Sequence, residues 1–80
     1  MSKVAELAER AMAEEVGQGR IFDLKVNYIS DFEPSAELTA VAGVVHVGRR
    51  TVVTECRIAA GARLVATASA TFAVMRDKED

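Results

Sequence analysis

The first segment of the chain carries apolar residues at the spacing of an amphipathic helix. Five of them recur at i, i+3, i+4, i+7 and i+8 and form one stripe: Val4, Leu7, Ala8, Ala11 and Met12. Ser2 is suited to act as the N-cap, and Gly17 is suited to the left-handed conformation that often ends a helix. The spacing therefore predicts a helix over residues 2–16.

Beyond Gly19 the period of the pattern changes to two. Phe22, Leu24, Val26 and Tyr28 alternate with polar residues, which predicts a strand whose apolar face packs in the core. Three more strands are predicted, at residues 36–47, 50–58 and 63–75. A loop and two tight turns connect them, at residues 30–35, 48–49 and 59–62. The charged residues 76–80 are expected to fray.

One helix followed by four strands, joined mostly by hairpins, predicts an α+β fold. The helix is expected to pack on one face of a four-stranded antiparallel sheet. The last predicted strand carries Ala66, Ala68 and Ala70 on one face, and such small side chains let a helix approach closely.

Composition limits the chain to one small domain, residues 1–80. A domain of this size buries only about 60% of its unfolded surface, and its apolar residues are largely Ala and Val without any Trp. We therefore expect a homodimer or tetramer, since self-association adds buried area. The net charge of -2 gives no electrostatic footprint for nucleic acid or an anionic membrane.

The chain has few residues that could form a disulfide or bind a metal ion. Cys56 is the only cysteine and His46 the only histidine, so neither an internal disulfide nor a zinc site is expected. Cys56 is interpreted as a buried free thiol and His46 as a strand-face or interface residue. The Ala/Glu-rich start is unlike a signal peptide, and no apolar run approaches a membrane span. We expect a cytoplasmic location.

Three segments follow one another in the chain: residues 23–28 (DLKVNY), 44–51 (VVHVGRRT) and 64–72 (LVATASATF). In this order they resemble segments of the PaaI-like acyl-CoA thioesterases, which have the hot-dog fold. The first resembles the strand after the family's central helix, the second its strand-turn-strand, and the third its closing strand. The resemblance implies a hot-dog-like α+β fold and thioester hydrolysis without a cofactor, with an acyl-CoA as substrate.

The resemblance also implies roles for single residues. Residues 7–12 (LAERAM) resemble the family's Leu-Ala-Asp/Glu segment, and Glu9 falls on the catalytic carboxylate. Arg49 and Arg50, at a hairpin turn, are candidates to hold the phosphates of coenzyme A, although a solubilising charged turn is the simpler and favoured interpretation. Asn27 is a candidate for lining the pocket, whereas Tyr28 beside it is expected to pack in the core.

The sequence also departs from the family pattern. In the register of Leu-Ala-Glu, the chain begins at Met1 where the family has a first strand and a His-Gly-Gly stretch. The polarising N–H groups would then come from residues 1–3. Ile21 stands where many members have Ser or Thr.

These departures leave three hypotheses open. The first is an acyl-CoA thioesterase. The second is a non-catalytic hot-dog module that binds an acyl-CoA-like ligand or serves as an assembly subunit. The third is a truncated reading frame descended from a complete thioesterase, with an open sheet edge where the first strand is missing.

Overall fold

The structure, a computed structural model, describes residues 3–74. It has one helix and four strands: α1 (Lys3–Val16), β1 (Arg20–Tyr28), β2 (Leu38–Val47), β3 (Thr51–Ala60) and β4 (Arg63–Ala73). The strands form one antiparallel sheet in the order β1-β4-β3-β2. The predicted α+β arrangement is confirmed. The proposed N-cap Ser2 and the predicted fraying of residues 76–80 lie outside the described residues.

The helix packs on the sheet through a row of residues spaced four apart. Val4, Ala8 and Met12 are buried, and they meet one face of the two central strands. The buried residues on that face are Val52, Thr54, Cys56 and Ile58 of β3 and Ala66, Ala68, Ala70 and Phe72 of β4. This concave face forms the core together with the helix. Because β4 contributes mostly alanines to it, the helix can lie close to the sheet.

Gly17 ends the helix as predicted. It has a φ of 86°, in the region that favours glycine. Its N–H donates to the carbonyl oxygen of Ala13 at 3.0 Å, which satisfies one of the last helical carbonyl groups. The chain can therefore turn directly into β1.

Three strands carry an extra residue that shifts their register. These bulges fall at Phe22 in β1, Val45 in β2 and Val65 in β4. Bulges bend a strand and increase its twist, which curves the sheet around the helix. At Phe22 the bulge also turns the side chain out of the core, and it is 73% exposed.

The core assignment was therefore wrong for Phe22, and it was also wrong for Tyr28. Leu24 and Val26 are half-buried on the concave face, as predicted, but Tyr28 is 59% exposed. The reason is the position of the helix, which lies nearer to β2. Leu7 shares a groove with Leu38 at the start of β2, whereas β1 lies at the opposite edge of the sheet.

The two edge strands differ in their side chains. β2 contains no charged residue over its length, and Val41, Val45 and Val47 are 65%, 57% and 59% exposed. β1, in contrast, contains Arg20, Asp23 and Lys25. Because charges on an edge strand discourage unspecific pairing, β2 is the less protected edge. The charges of β1 are of both signs, so β1 can pair with another chain where opposite charges meet.

Two classes of structure are not found among residues 3–74. No helix there is long and apolar enough to cross a membrane. No three His, Cys, Asp or Glu side chains of the described chain lie close enough together to hold a metal ion.

Candidate functional site

Glu9 lies on a lateral flank of α1, on the side away from β2. Leu7 and Arg10 line a groove with Leu38, so their flank faces the start of β2. Glu9 follows Leu7 by two residues, which is about 200° around a helix of 3.6 residues per turn. Its carboxylate is exposed, and it is turned to the side on which β1 lies.

The sheet leaves apolar surface uncovered on that same side. Leu24 and Val26 of β1 face the helix layer but remain only half-buried, because the helix sits over the other half of the sheet. Glu9 therefore lies on the flank of α1 that is turned toward this half-covered apolar surface at the β1 edge, which we call the trough.

Arg49 and Arg50 form the loop of the β2–β3 hairpin, as predicted. The N–H of Gly48 donates to the carbonyl oxygen of Thr51 at 2.7 Å and closes the turn. Both arginines are exposed. The hairpin lies at the end of the sheet where α1 finishes, since Val16, Val47 and Val52 line one cleft of about 450 Å³. Along the helix axis, Glu9 is about 10 Å from Val16.

Asn27 lies on the other side of the sheet from Glu9. It is paired with Thr67 and projects from the outer face, opposite to its neighbour Val26. There it lines a polar cleft of about 320 Å³ together with Glu55, Arg57 and Ser69. The structure of one chain therefore does not bring Asn27 and Glu9 together.

The N-terminal end of the helix is held by the loop that follows β1. The Nζ of Lys3 donates to the carbonyl oxygen of Pro34 at 3.3 Å. Of the three residues expected to polarise a thioester oxygen, Lys3 is described and opens the helix, whereas Met1 and Ser2 lie outside the described part. Ile21 is half-buried opposite Phe72, with no hydroxyl to offer at that position.

The two remaining candidates, Cys56 and His46, differ in burial. Cys56 is 1% exposed in the core, which confirms the buried free thiol. Burial raises the pKa of the Cys56 thiol above its ordinary value, and a hydrogen bond with the Val41 backbone offsets part of that rise. His46 is exposed on the outer face of β2, which confirms its assignment to a strand face.

Arg20 is a basic residue near the hairpin that the sequence interpretation missed. It opens β1 and is paired with Ala73, which is paired on its other side with Thr51. Arg20 therefore lies at the same end of the sheet as Arg49 and Arg50. The proximity of Arg20 to the hairpin follows from the pairing of β1 with β4. Sequence periodicity does not predict which strands pair.

Solved structures share this arrangement of helix and sheet. The BH2602 protein from Bacillus halodurans, whose structure contains CoA, superimposes with a TM-score of 0.80 at 24% identity, over 94% of this chain and 58% of that one. A protein from the thioesterase superfamily superimposes with a TM-score of 0.79 at 26% identity, over 90% of this chain and 58% of that one. These similarities confirm the hot-dog fold.

A third structure is more similar in sequence. The conserved protein PA5202 from Pseudomonas aeruginosa is 38% identical, with a TM-score of 0.67, over 72% of this chain and 46% of that one. The chain thus spans between 46% and 58% of the length of these three structures.

The sequence model of the Thioesterase superfamily matches residues 4–72. The match includes the whole of the predicted core and every candidate residue named above from Glu9 to Arg50. The chain therefore belongs to the Thioesterase superfamily. No curated protein matches the sequence.

Proposed function

We propose that this chain carries the catalytic carboxylate of an acyl-CoA thioesterase of the PaaI-like group. The observation that carries the proposal is that Glu9 is exposed on the flank of α1 that is turned toward β1, the edge strand whose Leu24 and Val26 remain half-buried. An acyl group can lie on such apolar surface while its thioester carbonyl reaches the carboxylate. Membership of the Thioesterase superfamily and the CoA in the similar BH2602 structure support this substrate class.

The reaction needs only a carboxylate, water and hydrogen-bond donors, with no cofactor. As general base, Glu9 takes a proton from a water that attacks the thioester carbonyl carbon. As nucleophile, it forms an acyl-enzyme anhydride that water then hydrolyses. In both routes the carbon–sulfur bond breaks, CoA leaves as thiolate and is protonated, and the acyl group leaves as a carboxylate. Backbone N–H groups of residues 1–3, of which the structure describes Lys3 at the start of α1, would stabilise the oxyanion.

The trough beside Glu9 is completed by a second copy in this proposal. Hot-dog thioesterases are typically oligomeric. The β1 edge borders the trough, and it ends in two exposed apolar side chains, Tyr28 and Ile29, that are 59% and 52% exposed. Antiparallel pairing of β1 with the β1 of a second chain would bury them and turn the open trough into a cleft. The active unit is therefore a homodimer, or a tetramer of such pairs.

Arg49 and Arg50 contact the phosphates of CoA in this arrangement. Both are exposed at the hairpin, and the guanidinium group matches the geometry of phosphate oxygens. Asn27 faces the outer surface, so its proposed contact is with a part of the ligand that passes around the edge of the sheet.

A second candidate function is a non-catalytic module that binds an acyl-CoA-like ligand or takes part in an assembly. Ile21 favours it, because its side chain is half-buried against the core and has no group to orient a water. In that case Glu9 is a solvated helix residue, and the trough and arginines serve binding alone.

The test is hydrolysis of short-chain, long-chain and aromatic acyl-CoAs by the purified protein. Glu9→Gln should lower kcat by about 100-fold or more, the scale of a lost general base. Glu6→Gln is the matched control, since Glu6 is an exposed glutamate on the same helix that lines the groove facing β2. Absence of turnover by the folded protein, or equal rates for Glu9→Gln and Glu6→Gln, would contradict the enzyme proposal.

A further inference from the structure

Three arginines lie at the end of the sheet where α1 finishes. Arg49 and Arg50 form the hairpin loop, and Arg20 opens β1. Ala73 of β4 is paired with Arg20 on one side and with Thr51 on the other. Two strand spacings of about 4.8 Å therefore separate the backbones of Arg20 and Thr51, a distance that two arginine side chains can span around one ligand group.

A cleft lies beside the first residue of β1 and the last residue of β4. It has a volume of about 500 Å³ and is lined by Gln18, Gly19, Arg20, Ala73 and Val74. The N–H of Val74 donates to the carbonyl oxygen of Arg50 at 2.9 Å, so one wall of the cleft is tied to the arginine hairpin. Arg20 is exposed at its rim.

The opposite end of the sheet has a different charge. There Glu33 and Glu37 line a cleft of about 510 Å³, together with Arg63. The guanidinium of Arg63 donates to the carbonyl oxygen of Asp31 at 2.9 Å. Among residues 3–74, the last turn of α1 brings Glu14 and Glu15 to the arginine end, where three arginines outnumber them. An anionic group is therefore favoured at the arginine end.

We propose that Arg20 completes a phosphate-binding site for coenzyme A, together with Arg49 and Arg50. The proposal rests on the proposed function and adds Arg20 to it as a binding residue. Phosphates of CoA are separated from its thioester by the extended pantetheine arm. Glu9 is separated from this end of the sheet by about 10 Å along α1. Arg20 projects from the outer face, since its neighbour Ile21 and the residue before its partner, Phe72, face the core. One such ligand would therefore pass around the end of the sheet between Glu9 and the arginines.

The test is the equilibrium affinity for CoA, measured by isothermal titration calorimetry at low and high salt. Arg20→Gln should weaken CoA binding about tenfold at low salt, because a charge-assisted contact with phosphate is lost. The loss should shrink at 1 M salt, where charges at the surface are screened beyond about 3 Å. Arg20→Lys keeps the charge but not the bidentate geometry, so its affinity for CoA should lie between those of the wild type and Arg20→Gln.

Arg63→Gln is the matched control. Arg63 is also an exposed arginine, but it opens β4 at the opposite end of the sheet, beside Glu33 and Glu37. It should change the CoA affinity less than twofold. Equal losses for Arg20→Gln and Arg63→Gln, or no binding of CoA to the folded protein, would overturn the proposal.

The outcome separates this site from the proposed reaction. CoA binding that depends on Arg20, without hydrolysis of any thioester, would leave the phosphate site standing and remove the enzyme. Thioester hydrolysis that depends on Glu9, with CoA affinity unaltered by Arg20→Gln, would remove the phosphate site and leave the enzyme.

Discussion

The replacement of Met12 by alanine tests how the helix is attached to the sheet. Met12 is 0% exposed and is the largest fully buried side chain among the described residues. Alanine removes three heavy atoms, and at about 0.8 kcal/mol for each buried methylene-sized group the transfer cost is roughly 2 kcal/mol. The cavity left behind adds to this, so we expect a loss of about 3 kcal/mol in the free energy of unfolding.

Such a loss is large for a chain of 80 residues. At roughly 0.05–0.15 kcal/mol per residue the whole domain is stabilised by only about 4–12 kcal/mol. Urea unfolding followed by far-UV circular dichroism, at one protein concentration, should show a lower midpoint with an unaltered slope. In a thermal scan Tm should fall by about 12–24 °C.

Met12→Leu is the control, because it nearly conserves volume and should cost less than about 1.5 kcal/mol. A loss below about 1 kcal/mol for Met12→Ala would refute the reasoning. It would mean that the helix does not bury Met12 against β3 and β4 in solution, and the placement of Glu9 three residues earlier on the same helix would lose its basis.

Three further outcomes are expected. Gly17→Ala should lower the free energy of unfolding by about 1 kcal/mol, and Gly17→Asn should lower it by less. A Cβ at Gly17 meets nothing within 4 Å, so the cost is that of the positive φ alone. Equal urea midpoints for the two variants would contradict this. Thr54→Val should cost about 0.5–1.5 kcal/mol, because the buried Thr54 hydroxyl donates to the carbonyl oxygen of Ala70 at 3.3 Å; an unshifted urea midpoint would show that the bond adds nothing. Burial raises the pKa of the Cys56 thiol, so the folded state favours the neutral form. The resulting stabilisation is complete below the ordinary pKa of 9.0 and is lost as the pH rises through the folded-state pKa. The difference in the free energy of unfolding between wild type and Cys56→Ala should therefore fall above about pH 9, and a difference that stays constant up to about pH 10.5 would argue against this.

The fold could be predicted where periodicity alone determines burial. The helical spacing of Val4, Ala8 and Met12 identified the residues that the structure buries, and the alanines of β4 indicated a close helix. Phe22 and Tyr28 could not be assigned correctly in this way. A bulge breaks the two-residue period at Phe22, and the coverage of Tyr28 depends on where the helix crosses the sheet.

The candidate site likewise contains features that local sequence predicts and one feature that depends on the strand order. The adjacency of Arg49 and Arg50 at a turn is local and was predictable. The outer-face position of Asn27 also follows from the parity of β1, since its neighbour Val26 points inwards. The proximity of Arg20 to the hairpin depends on strand order, because β4 inserts between β1 and β3. No local pattern contains that information.

The uncharged β2 edge has a consequence for how many copies can join. A pair of chains joined through β1 leaves a β2 strand at each outer end of the shared sheet, and no charged residue of that strand discourages another one from adding. If both edges accepted copies, every added chain would present a fresh edge, and growth would run on as an open ribbon. The assembly therefore stays finite only if the β1 edge pairs with another copy and the β2 edge does not. Val41→Lys would place a charge on the exposed β2 edge and discourage further addition.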